Sequence, residues 1–131
     1  MPIQVESLTT LIQVFDMPKS ISFYRDVLGF EVSIQSEPGN DFDWCLLRLN
    51  GTKLMLNTAY EKETRPTSPD PVRMARHHDT SFFFLSDPDA AYDHLRERGV
   101  DVEQPKIAPY GMKQLYVKDP DGYVLCFQQP I

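Results

Sequence analysis

Thr9-Thr10-Leu11-Ile12-Gln13-Val14-Phe15-Asp16 and Thr80-Ser81-Phe82-Phe83-Phe84-Leu85-Ser86-Asp87 are two β-rich octets, each running from Thr to Asp. Each reads as a strand ending in a helix cap. Pro18 and Pro88 follow the aspartates, where a first helical turn misses no amide donor and the Asp carboxylates can accept from orphan amides. Both segments then turn helical. Ile21, Tyr24 and Leu28, with Phe23 and Val27, form an apolar stripe, and Ala91, Tyr92 and Leu95 form a weaker one. Gly29 and Gly99 stop the helices, and Phe30-Glu31-Val32 and Val100-Asp101-Val102 match as strand starts. The chain is therefore read as a divergent internal repeat.

Each half closes on a hairpin-like pair of strands. In the first, 43–50 and 52–58 flank Asn50-Gly51, a strong hairpin signal. In the second, 113–118 and 123–128 flank Asp119-Pro120-Asp121-Gly122, where Pro presets φ and Gly accepts a positive one. Asp119 and Asp121 belong first to that turn. Residues 61–78, rich in Pro, Thr, Ser and charge, read as a linker with one short helical turn near Val72 to Arg76. The expected fold is α+β: one domain over 1–131, built of two βαβββ modules (about 1–60 and about 79–131) with mixed sheets curving around a ligand cup.

Strand alternation sorts the side chains. Cys45, Leu47, Leu54, Leu56, Ile12 and Val14 are expected to face the first helix. Trp44, Leu46, Arg48, Lys53, Met55, Asn57, Leu11 and Gln13 face the other way. In the second half Phe83, Leu85, Leu115, Val117, Leu125 and Phe127 are expected on the helix side. Phe82, Phe84, Gln114, Tyr116, Val124, Cys126 and Gln128 are expected opposite them. The second set mixes aromatic, apolar and hydrogen-bonding groups, as a small-molecule pocket does. Ordinary sheet packing is the alternative. Trp44 and Tyr116 favour the pocket, since their N–H and O–H groups want partners when buried. Arg48 can grip a carboxylate or pair with a neighbouring acid.

Composition bounds the function. With 131 residues the chain fits one domain. Nineteen Asp and Glu against thirteen Lys and Arg give a net charge of −6, which argues against nucleic acid and favours a neutral or cationic ligand. No stretch approaches the roughly 20 apolar residues of a membrane span, and the first residues lack a basic segment followed by an apolar one. The expected protein is soluble and cytoplasmic. Cys45 and Cys126, without CxxC or Cys/His spacing, read as buried reduced thiols rather than a disulfide.

Asp16-Met17-Pro18-Lys19-Ser20-Ile21-Ser22-Phe23-Tyr24-Arg25-Asp26-Val27-Leu28-Gly29-Phe30, together with Asp119-Pro120-Asp121-Gly122-Tyr123-Val124-Leu125, resembles the vicinal oxygen chelate superfamily, which includes glyoxalase I, bleomycin resistance proteins and extradiol dioxygenases. The resemblance covers nearly the whole chain. It implies two βαβββ modules and homodimers in which modules of neighbouring chains complete one another's sites. In metal-dependent members four strands supply His and Glu ligands. Carried over, those positions are Thr9, Met55, Thr80 and Cys126, none of them a good hard-metal ligand. His77-His78-Asp79 offers another route to a metal, or else a solvated corner. Cys126 has no sequence neighbour to lower its thiol pKa, so it reads as packing rather than nucleophile.

The favoured expectation is a bleomycin-resistance-like binder without metal or other cofactor. It would sequester a small organic molecule, cationic or aromatic, such as an antibiotic. The expected contacts are Trp44, Leu46, Arg48, Met55, Asn57, Phe82, Phe84, Gln114, Tyr116, Cys126 and Gln128. The alternatives are a lyase, isomerase or dioxygenase with a non-standard metal site, and a partner module without a ligand.

Overall fold

The computed structural model describes residues 2–131. The chain divides into two compact units, the second running Thr67–Ile131. Each carries one four-stranded mixed sheet.

In the first unit, β1 (Thr10–Val14) leads into α1 (Met17–Ile21), which continues as a π-helical turn, Ser22–Val27. Asp16 caps the helix, its carboxylate accepting from the Lys19 amide at 3.2 Å. The wide turn is closed by the Leu28 amide donating to the Phe23 carbonyl at 3.0 Å, and Gly29 leaves with φ +97°. Widening shifts the buried stripe from the one expected: Met17, Ser20, Ile21 and Tyr24 are buried, while Phe23, Val27 and Leu28 are only half-buried.

β2 (Glu31–Gln35), β3 (Trp44–Leu49) and β4 (Thr52–Thr58) complete the sheet in the order β1-β4-β3-β2, with β1 parallel to β4. Asn50-Gly51 makes the two-residue turn between β3 and β4, Asn50 at φ +54°. Register puts Ile12, Cys45, Leu47, Leu54 and Leu56 on the helix side, as expected, and all are buried. Each such aliphatic side chain contributes roughly 1.5–3 kcal/mol by leaving water. A bulge in β2, between Val32 and Ile34, turns both Glu31 and Ile34 to the opposite face.

The second unit opens with α2 (Pro71–Arg76), capped by Asp70 and followed by a 3₁₀ turn, His77–Asp79. β5 (Ser81–Leu85), α3 (Pro88–Glu97), β6 (Lys106–Ile107), β7 (Met112–Lys118) and β8 (Val124–Pro130) follow, with sheet order β5-β8-β7-β6. Asp87 caps α3, accepting from the amides of Asp89 and Ala90. The Asp119-Pro120-Asp121-Gly122 turn is built as expected: the Asp119 carboxylate accepts from the amides of Asp121 and Tyr123, both at 2.9 Å. Val100-Asp101-Val102 is not a strand. The Val100 amide turns back to the Leu95 carbonyl to close α3, and Pro105 lacks a donor, so β6 forms only at Lys106.

Register corrects one expectation. β5 runs parallel to β8 with Phe82 beside Leu125, Phe83 beside Cys126, Phe84 beside Phe127 and Leu85 beside Gln128. Phe82 and Phe84 therefore belong to the helix side, with buried Leu115 and Leu125, whereas Phe83 and Leu85 are exposed on the other face. The side chain before the cap explains it. Val14 stands two residues before Asp16, but Phe84 stands three before Asp87, so the two octets are out of phase by one residue.

Candidate functional site

The face of each sheet turned from its helix, here called the open face, holds the candidate binding groups. On the first sheet they stand in three rungs. Trp44 lies beside Asn57, which lies beside Gln13; Leu46 beside Met55 and Leu11; and Arg48 beside Lys53. Trp44, Leu46, Met55 and Asn57 are half-buried and Arg48 is exposed, its Nε donating to Ser33 Oγ at 3.2 Å. The first sheet thus brings together all five of its expected residues, and the β2 bulge adds Ile34, which alternation alone would not place there.

On the second sheet, Gln114, Tyr116, Cys126 and Gln128 share the open face as expected. They form a hydrogen-bonded patch. The Gln114 amide donates to Gln128 Oε1 at 2.8 Å, and Gln114 Oε1 accepts from the hydroxyls of Tyr110 at 3.1 Å and Tyr116 at 3.3 Å. Cys126 stands directly beside Tyr116 in register. Burial, helped by Cys126, pushes the Tyr116 phenol up to about 12. Burial likewise raises the Cys126 thiol, with Tyr116 pulling back part of the way. Both are neutral hydrogen-bonding groups at physiological pH, and neither is an activated nucleophile or base.

A groove of about 810 Å³ within the second unit reaches Gln114 and Tyr116 of this patch. Gln114, Tyr116, Val117, Lys118 and Val124 line it from β7 and β8, and residues 100–104 and 106–108 line it from the side. Phe82 and Phe84 are not part of the open face. The run Phe82-Phe83-Phe84-Leu85 is apolar throughout, so its sequence carries no alternation to reveal which members face out. The lining loop was equally illegible, because it reads as a strand start.

The donor set does not fit the divalent ion held by metal-dependent chelate proteins. Met55 and Cys126 stand on open faces, but Thr80 has the parity of Phe82 and Phe84 and so departs from the face of Cys126. His77 is engaged elsewhere: its Nδ1 lies 2.6 Å from the Asp121 carbonyl oxygen, and its ring stacks on Tyr123 at 4.2 Å. His78 and Asp79 are exposed. Among the described residues no three His, Cys, Asp or Glu side chains converge as an ion's ligands. No described helix is long and apolar enough to cross a membrane.

Residues 7–127 match the model of the Glyoxalase/Bleomycin resistance protein/Dioxygenase superfamily. No curated protein matches the chain by sequence. Among solved structures, TioX from Micromonospora sp. ML1 superposes with a TM-score of 0.73 at 17% identity, covering 97% of this chain and 100% of that one. The bleomycin-binding protein of Streptomyces verticillus, solved with copper(II)-bleomycin, gives 0.69 at 20% identity, covering 99% and 100%. A glyoxalase/bleomycin resistance protein from Streptomyces sp. CB03234 gives 0.64 at 28% identity, covering 92% and 97%. Two four-stranded mixed sheets, one per βαβββ module, and a family match across nearly the whole sequence lead to one conclusion: the chain belongs to the glyoxalase/bleomycin resistance protein/dioxygenase superfamily.

Proposed function

We propose that this protein binds and sequesters a small organic molecule on the open faces of its sheets, without a metal, in the manner of a bleomycin resistance protein. One observation carries the reading. The groove of the second unit reaches the Tyr116 phenol and the Gln114 amide, neutral hydrogen-bonding groups suited to hold and orient a flat molecule rather than transform it. The half-buried Trp44, Leu46 and Met55 supply apolar contact on the first sheet. Support also comes from the poor metal donors at Thr9, Met55, Thr80 and Cys126, and from the structural likeness to a protein that binds bleomycin.

The proposal includes a homodimer and a cytoplasmic location. Exposed Leu11, Ile34, Phe83 and Leu85 on the open faces favour a second chain, and two free buried thiols suit a reducing compartment. The test is a thermal-shift panel of glycopeptide antibiotics, aromatic acids and thiol conjugates on protein of measured metal content. A ligand selective for the native state raises the midpoint by mass action. The proposal expects a shift that survives chelator treatment. Turnover of the bound molecule, or a shift that needs one metal per chain, would defeat it.

A further inference from the structure

The charge on the open faces opposes the charge of the chain. Among the described residues Glu31 is the one acidic residue in a strand, and against it Arg48, Lys53, Lys106 and Lys118 share the open-face positions. A protein with net charge −6 thus presents cations on the surfaces that would meet a ligand. Arg48 and Lys53 stand directly opposite one another in antiparallel register. Glu31 stands on the other side of Arg48 in the same rung, so the rung carries one net positive charge.

The groove of the second unit makes the pattern local. Glu103 is spent on Lys106 at 2.8 Å, and Asp101 faces Arg96 at 3.5 Å. Lys118 has no ion-pair partner among the described residues, so it is the one uncompensated charge lining the groove. It stands two residues from Tyr116 on the same face, about 7 Å along the strand. That spacing suits a ring over Tyr116 with a charged substituent at the ammonium. The two carboxylates that line the groove, Asp101 and Glu103, already face Arg96 and Lys106, which leaves Lys118 as the cation without a partner there.

We propose that the ligand of this groove is a flat molecule bearing an anionic group, and that Lys118 meets that group. The proposal rests on the binding reading above and fixes the charge of what is bound. The experiment uses three probes of one shape, naphthoate, naphthamide and naphthylmethylammonium, titrated into the full chain by calorimetry at low and high salt. Naphthoate is expected to bind about five-fold tighter than the amide at low salt, with the ammonium weakest, and the advantage should shrink at high salt. Lys118→Gln, a change at an exposed side chain, should erase the carboxylate's advantage and leave amide binding unchanged. Equal binding of carboxylate and amide, or a preference that survives Lys118→Gln, overturns the charge assignment while leaving small-molecule binding intact. If none of the three probes binds, the assignment of a flat anionic ligand falls, and the thermal-shift panel decides small-molecule binding by itself.

Discussion

Phe84 and Phe127 stand side by side on parallel strands with their rings stacked, centroids 5.2 Å apart and planes 19° from parallel. The pair lies on the helix side of the second sheet, and Phe83, one residue earlier, points to the exposed side. Truncation should expose the difference. Phe84→Ala should lower unfolding free energy by roughly 2 kcal/mol, less than a full core Phe loses because the ring is half-buried. Phe83→Ala should cost less than about 1 kcal/mol in the same urea titration. Equal losses would mean the phase of β5 is misjudged.

That phase is set by partners distant in sequence rather than by neighbouring residues. The modules, their capping aspartates, the Asn50-Gly51 hairpin and the Asp119 turn were legible, because each rests on chemistry confined to a few neighbouring residues. The first sheet's faces were legible too, since polar and apolar residues alternate along Trp44-Cys45-Leu46-Leu47-Arg48. Phe82-Phe83-Phe84-Leu85 has no such alternation, and only pairing with β8 decides it. The bulge that turns Ile34 outward and the loop beside Lys118 are likewise products of long-range register.

His77 shows a motif changing meaning with its surroundings. In sequence His77-His78-Asp79 reads as a solvated corner or as another route to a metal, whereas the His77 ring lies flat on Tyr123 while its Nδ1 meets the Asp121 carbonyl. This docks α2 against the turn between β7 and β8. His77→Ala should therefore destabilise the protein by about 1–2 kcal/mol, the sum of a part-buried hydrogen bond and a ring contact. Metal content should be the same before and after the change. A metal lost with His77, at unchanged stability, would restore the catalytic reading.

Trp44 tests whether the open face of the first sheet binds anything. Its ring stands half-buried beside Asn57 rather than inside the helix-side core. Trp44→Ala should weaken the ligand found by the thermal-shift panel ten-fold or more while lowering stability by less than about 2 kcal/mol. Calorimetry and urea unfolding on the same sample separate the two. Unchanged affinity with a large loss of stability would assign Trp44 to the core.

Alkaline pH should weaken the fold through groups that keep their protons when folded. Burial pushes the Cys45 thiol from 9.0 up to about 11, and the Cys126 thiol and Tyr116 phenol move the same way. The folded chain then holds protons that the unfolded chain releases. Stability from Cys45 is complete below its unfolded value and is lost as pH rises from 9.0 through about 11. Between about pH 8 and about pH 10.5 the loss from Cys45, which is fully buried, should reach about 2 kcal/mol. Cys45→Ala should flatten that part of the profile, whatever it costs at neutral pH. For the same reason neither thiol should react with a disulfide reagent at neutral pH until the chain unfolds. Rapid labelling of one thiol per native chain would show that the strand carrying it opens far more readily than its packing implies.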